Sequence, residues 1–147
     1  MAYRHILLVV DLTEDSLAIS RRAHELATAL GAQLHLLHVV EFVSVDPLGD
    51  TLMPVVEMET ELLEQAQRRL VALAAQLGRP QSACRVENGS VKAEIVRVAR
   101  ELHADLIVLG SRERHGLSIL VNLTADTVLH AAPCDVLAMR AGPAGSG

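Results

Sequence analysis

Aromatic side chains are almost missing from this chain: 147 residues include one Tyr, one Phe and no Trp. Its core must therefore be aliphatic, and half of all residues are hydrophobic. Leu, Val, Ile and Ala in that abundance suit helices packed on a buried parallel sheet. A positive charge excess is also lacking. Thirteen Lys and Arg stand against eighteen Asp and Glu, for a net charge of −5. A nucleic-acid binder needs a basic face to displace counterions, and an anionic membrane surface favours one too, so both partner classes are excluded. Long apolar runs are absent from the start: "ILLVV", residues 6–10, is stopped by Asp11. That is too short for a signal-peptide core or a membrane span, so a cytoplasmic location is expected. Cysteine is scarce. Cys84 and Cys134 lie far apart without C-x-x-C spacing, and read as small buried hydrophobes in a reducing compartment rather than as redox or metal groups.

What is present alternates between two periods. "RHILLVV" (4–10), "AQLHLLHVV" (32–40), "ADLIVLG" (104–110) and "CDVLAMR" (134–140) are apolar runs of strand length. "SACRVENG" (82–89) alternates polar with apolar, as an edge strand does. Between them lie helical stripes. Ile19, Ala23, Leu26, Ala27 and Leu30 form one, ended by Gly31, with Glu14 and Asp15 expected in its first turn. A longer stripe runs from Val55 through Met58, Leu62, Ala66, Leu70 and Leu73 to Leu77. A third uses Val91, Ile95, Val98, Ala99 and Leu102, and "ADTVLHAA" (125–132) makes a short helix stopped by Pro133. The irregular stretch "EFVSVDPLGDTLMP" (41–54) is expected to be the most mobile internal segment, arching over the ligand side of the sheet.

Five strands joined by four helical crossovers predict one α/β domain over residues 1–140, a doubly wound five-stranded parallel sheet of order 3-2-1-4-5 with helices on both faces. The tail "AGPAGSG" (141–147) has nothing to bury and is expected to be disordered. Ligands of such folds sit beyond the carboxyl ends of the strands where the winding reverses. That places residues 11–13, 39–41 and the stretch "GSRERHGLSILVNLTADTV" (110–128) around one site. The first loop, "VDLTED", has no glycine, so the dinucleotide fingerprint G-x-G-x-x-G is absent. Asp11 is the carboxylate at the first strand's end. It could contact a ligand there, or satisfy amides of its own loop and the following helix.

Several motifs together carry a family resemblance. "MAYRHILLVVDLTEDS" at the start, and "DLIVLGSRERHG" followed by "TADTVLHAAPCDVLAM" at the end, resemble the universal stress protein A family through essentially the whole chain before the tail. One branch of that family binds ATP through Gly-two-Gly-nine-Gly followed by Ser or Thr; the founding type lacks the motif. Here Gly110 matches the first glycine and is expected to serve a sharp turn at the end of the fourth strand, a need independent of ligand. Glu113 and Leu123 stand at the second and third positions, and Thr124 holds the hydroxyl position. The resemblance is therefore to the founding, non-ATP-binding type. Leu123 obstructs the close approach of backbone N–H groups to phosphate, and Glu113 sets a negative charge against a polyanion. Weak ATP binding is expected, with Kd above roughly 100 μM, less than about 6 kcal/mol of binding free energy. If nucleotide binds, the resemblance assigns Asp11 and the slot at Val39 and Val40 to the adenosine portion, with Gly110, Arg112 and Thr124 toward the phosphates.

The last strand is an apolar edge without Lys or Pro, which invites pairing. The resemblance implies an antiparallel homodimer through it, formed by Asp135, Val136, Leu137, Ala138, Met139 and Arg140. With the two-fold axis between Leu137 and Ala138, Asp135 of each chain would face Arg140 of the other. Seven histidines do not make a metal site: His35 and His38 point to opposite faces of one strand, and His24, His103 and His130 belong to separate helices. Ser111 has no evident base and no G-x-S-x-G elbow. No cofactor and no catalytic residue is expected. The function implied is a non-catalytic cytoplasmic stress-response protein acting as a homodimer through contacts with another protein. The alternatives are an ATP-binding switch of the same fold, with slow hydrolysis or self-phosphorylation, and an unrelated small α/β enzyme or flavin carrier.

Overall fold

The computed structural model describes residues 3–41, 55–111 and 128–140. Five strands form one parallel sheet: β1 (His5–Val9), β2 (Gln33–Val40), β3 (Cys84–Asn88), β4 (Leu106–Ser111) and β5 (Asp135–Arg140). Their order is β3-β2-β1-β4-β5, as the sequence predicts. Three helices connect or precede them: α1 (Ser16–Leu30), α2 (Val55–Gln76) and α3 (Val91–Glu101), and residues 128–131 are also helical. A short 3-10 turn at Gln81–Ala83 leads into β3.

Alternation along the strands divides the core in two. Ile6, Leu8, Leu34, Leu36, Leu106 and Val108 point to the face covered by α1 and α2. Their neighbours Leu7, Leu37, Val39, Ile107 and Leu109 point to the other face, against Ile95, Val98 and Ala99 of α3 and Val128. A strand whose odd and even residues are both buried must read as a continuous apolar run, which is why β1, β2 and β4 lack the polar alternation seen in β3.

Local details differ from the expected boundaries. Gly31 ends α1 in the left-handed conformation (φ 65°), where a Cβ would be strained. The helix begins at Ser16, so Glu14 and Asp15 precede its first turn rather than occupying it. Asp11 supplies the reason: its side chain binds the loop through Ser16 and delays helix entry. The α2 stripe is buried from Ala66 onward, but Met58 and Leu62 are exposed among the described residues. At the β3 edge, Arg97 bridges Glu87, Glu94 and Glu101, and Arg85 joins the same carboxylates at Glu87 and Glu101. No helix among the described residues is long and apolar enough to cross a membrane.

The expected mobile stretch (41–54) lies, after Glu41, outside the described residues, as does the tail (141–147). So do Arg112, Glu113, Leu123 and Thr124 of the phosphate-loop stretch.

Candidate functional site

A cavity of about 310 Å³ opens where the winding reverses, beyond the carboxyl ends of β1, β2 and β4. Val9, Val10 and Asp11 come from the end of β1, and Leu109 and Gly110 from β4. Val39 and Glu41 come from the end of β2, with His38 one residue deeper. The N-terminal parts of two helices complete the wall: Ser16, Ile19 and Ser20 of α1, and Val91 of α3. Parallel strands ending at one level, with helices starting from that level, produce such a recess without further design.

Asp11 is turned onto its own loop. Its Oδ1 accepts the Thr13 N–H at 3.1 Å, the Thr13 hydroxyl at 2.7 Å and the Ser16 hydroxyl at 2.8 Å. The loop-satisfying role is thus present, and the same carboxylate borders the cavity. Glu41 does comparable work on the opposite wall. Its Oε1 accepts the Val91 N–H at 3.0 Å, the first amide of α3, while Ser90 accepts the Ala93 N–H at 3.5 Å. Helix N-termini attract anions because their amides are unsatisfied; here a side chain of the same protein takes that role. Asn88 Oδ1, near this end of β3, is buried without a partner among the described groups, while its amide donates to Glu59.

His38 Nδ1 lies 2.6 Å from the Val10 carbonyl oxygen. A carbonyl can only accept, so Nδ1 carries the proton and the ring is held at a fixed angle to the end of β1. The charged side chains on the described wall are the two carboxylates, Asp11 and Glu41. Among the described lining residues there is no Lys or Arg to face them.

Gly110 occupies the position expected, for a different reason. It lies inside β4, paired with Met139 of β5, and is not among the positive-φ residues. A Cβ built on it would stand 2.5 Å from Ile19 Cδ1. The close packing of α1 on β4, not a sharp turn, accounts for this glycine. Val40, expected to share the adenine slot with Val39, is half-buried, pairs with Asn88 and does not line the cavity. Ser16, Ser20, Ile19 and His38 were not anticipated. The i, i+4 spacing of Ser16 and Ser20, flanking Ile19 on the buried stripe, was the available signal for the two serines.

A strained residue sits at the rim. Leu12 has φ 56°, and its carbonyl accepts from Arg69 Nη2 of α2 at 2.6 Å.

On comparison with known proteins, the profile of the universal stress protein family matches residues 2–140. The chain belongs to the universal stress protein family. Universal stress protein A homolog 2 of Coxiella burnetii is 37% identical over 139 residues, covering 94% of this chain and 95% of that one. Among solved structures, universal stress protein UspA from Lactobacillus plantarum superposes with a TM-score of 0.70 at 24% identity, over 95% of this chain and 99% of that one. A universal stress protein crystallised in complex with cAMP superposes with a TM-score of 0.60, also at 24% identity, over 97% of this chain and all of the other. Both structures share the α/β fold of this universal stress protein.

At the sheet's far edge, β5 pairs with β4 from Leu106↔Asp135 to Ser111↔Arg140. Leu137 is 37% exposed and Ala138 is exposed, while Met139 is buried. Asp135 Oδ2 accepts the Tyr3 hydroxyl at 2.7 Å, and the Arg140 carbonyl accepts from Arg22 at 2.6 Å. Both ends of the strand are thereby tied back to their own chain. Among the described residues, no group of three or more His, Cys, Asp or Glu is placed to hold a metal ion.

Proposed function

We propose that this universal stress protein is a non-catalytic cytoplasmic stress-response protein that acts as a homodimer through contacts with another protein. Its cavity holds nucleotide weakly and without a phosphate grip. The observation that carries this reading is that two carboxylates lining the cavity are bound to amides of the chain itself. The Thr13 N–H is bound by Asp11 and the Val91 N–H by Glu41. A phosphate entering here must displace a carboxylate or lie beside one, and either is unfavourable. The sequence departures at Glu113 and Leu123 act in the same direction.

The lack of a catalytic role is supported by the direction of the hydroxyl groups. The Ser16 hydroxyl donates to the Asp11 carboxylate rather than to His38, so Ser16 and His38 are not hydrogen-bonded as nucleophile and base. Dimerisation is supported by the apolar centre of β5, with Val136 half-buried and Leu137 and Ala138 exposed at an edge.

Nucleotide binding is the second reading, and the cavity itself favours it. Its volume of about 310 Å³ falls at the lower end of small-molecule sites, and a neighbour of the same fold was solved with cAMP. Calorimetry with ATP, adenosine and cAMP separates the readings. Kd for ATP should exceed roughly 100 μM. Low-micromolar ATP binding would replace the first reading by the second.

A further inference from the structure

The loop between β1 and α1 holds a leucine in a conformation that leucine avoids. Leu12 has φ 56°, where the side chain of an L-residue crowds its own carbonyl. Glycine, asparagine or aspartate would be the ordinary occupant. A strained residue persists only where its surroundings over-determine it, and three constraints are visible. Asp11 Oδ1 gathers the Thr13 amide and hydroxyl and the Ser16 hydroxyl on the far side of Leu12. The Leu12 side chain packs against the core between the sheet and α1–α2. The third constraint is remote in sequence: Arg69, 57 residues away on α2, donates Nη2 to the Leu12 carbonyl at 2.6 Å.

We propose that Arg69 is the positioning residue of the switch-point cavity. Its guanidinium clasps the Leu12 carbonyl, holds Leu12 in the left-handed conformation, and so fixes the Asp11 carboxylate at the rim. A guanidinium–carbonyl bond is charge-assisted and directional, which suits it to oppose backbone strain. Arg69 does not line the cavity, so its effect on any ligand is exerted through the loop. Asp11 and Ser16 both line the cavity and both hydrogen-bond within this loop. A change in φ at Leu12 would therefore move two wall groups together. The effect on ligand rests on the reading of the cavity as a binding site; the effect on the loop does not.

Two measurements on the full-length chain test this separately. Amide exchange at Thr13 and Ser16, read by NMR, reports the loop directly. Arg69→Met, which keeps the aliphatic stem, should speed exchange at these two amides by about tenfold or more, the equilibrium weight of one hydrogen bond to a charged group. Amides of α2 from Ala66 to Ala74 should stay within about twofold, because an exposed side chain rather than the helix has changed. Adding Leu12→Gly to Arg69→Met should restore protection to within about threefold of the parent, since glycine adopts positive φ without crowding. In parallel, adenosine is titrated as the probe, and Arg69→Met should weaken its binding about tenfold. The proposal is overturned if Arg69→Met leaves Thr13 and Ser16 unchanged, if α2 loses protection to the same extent, or if Leu12→Gly gives no rescue. Should adenosine bind neither parent nor variant, the binding-site reading fails, and the exchange data alone still decide the role of Arg69.

Discussion

Gly110 offers the sharpest test of why the phosphate-loop region keeps part of its pattern. An alanine Cβ at this position would lie 2.5 Å from Ile19 Cδ1, with the next atoms of Ile19 at 3.8 and 4.0 Å. Carbon atoms rest at about 3.5–4.0 Å, so Cδ1 must retreat by about 1 Å or more. Ile19 is 5% exposed and borders the cavity, so the shift falls on rotation of its side chain rather than on backbone. Overpacking of this kind costs about 1–3 kcal/mol. Replacing glycine also restricts the unfolded chain and returns about 0.4–1 kcal/mol. Gly110→Ala should therefore destabilise by about 1–2 kcal/mol net, read as a lower urea midpoint at unchanged m-value and fixed protein concentration. Ile19→Val removes the clashing atom and alone costs about 0.5–1.5 kcal/mol. In the double variant the overpacking vanishes, so the pair should couple by about 1 kcal/mol or more. Strict additivity, or a neutral Gly110→Ala, would refute the packing account. A turn requirement predicts damage that Ile19→Val cannot relieve, and a phosphate requirement predicts no change in stability at all.

His35 gives a pH dependence with a definite sign. Burial, and then the stacked His5 ring 6.2 Å away, lower its pKa from the ordinary 6.5. The unfolded chain then binds the proton first, so this contribution is complete above about pH 6.5 and is lost as pH falls through the folded value. Urea melts at pH 7.5 and 5.5 should show the decline, and His35→Gln should flatten it; an equal slope in the variant refutes the assignment. Val136→Pro should convert the proposed dimer to monomer in sedimentation at micromolar concentration, because proline removes a donor from β5 and cannot sit in a central paired strand. A parent that sediments as a monomer would dispose of the dimer. Glu113→Gly with Leu123→Gly should raise ATP affinity by calorimetry, and Arg112→Ala should matter only in that background; no gain would show that these two positions do not limit phosphate binding.

The parts of this universal stress protein that were legible in its sequence are those set by repeating patterns. The two-sided burial of β1, β2 and β4 forces continuous apolar runs, so the parallel sheet followed from composition and period, and its order from the handedness of the helical crossovers. The switch point followed from the order, and it brought Asp11, Val39 and Gly110 to one cavity. What escaped depends on contacts between residues far apart in the chain. His38 reads as a polar interruption of β2 until Val10, 28 residues earlier, is seen beside it. Gly110 reads as a turn glycine until Ile19 is placed over it.

Leu12 shows the same limit in reverse. Within "VDLTED" it reads as an ordinary hydrophobe, and no periodicity marks it as left-handed. The conformation becomes intelligible only when Asp11 has tied down Thr13 and Ser16 and Arg69 has reached across from α2. Asp11 then has two duties that pull in different directions. Its bonds to the loop hold the rim in shape, yet they also place a carboxylate, opposite that of Glu41, where a phosphate would otherwise meet free amides. A ligand that exploits such a rim is one that donates hydrogen bonds to carboxylates, as ribose hydroxyls do, rather than one that brings more negative charge. The geometry of the loop and the weakness expected toward ATP thus have one physical origin: amides satisfied from within the chain leave little for a polyanion to gain.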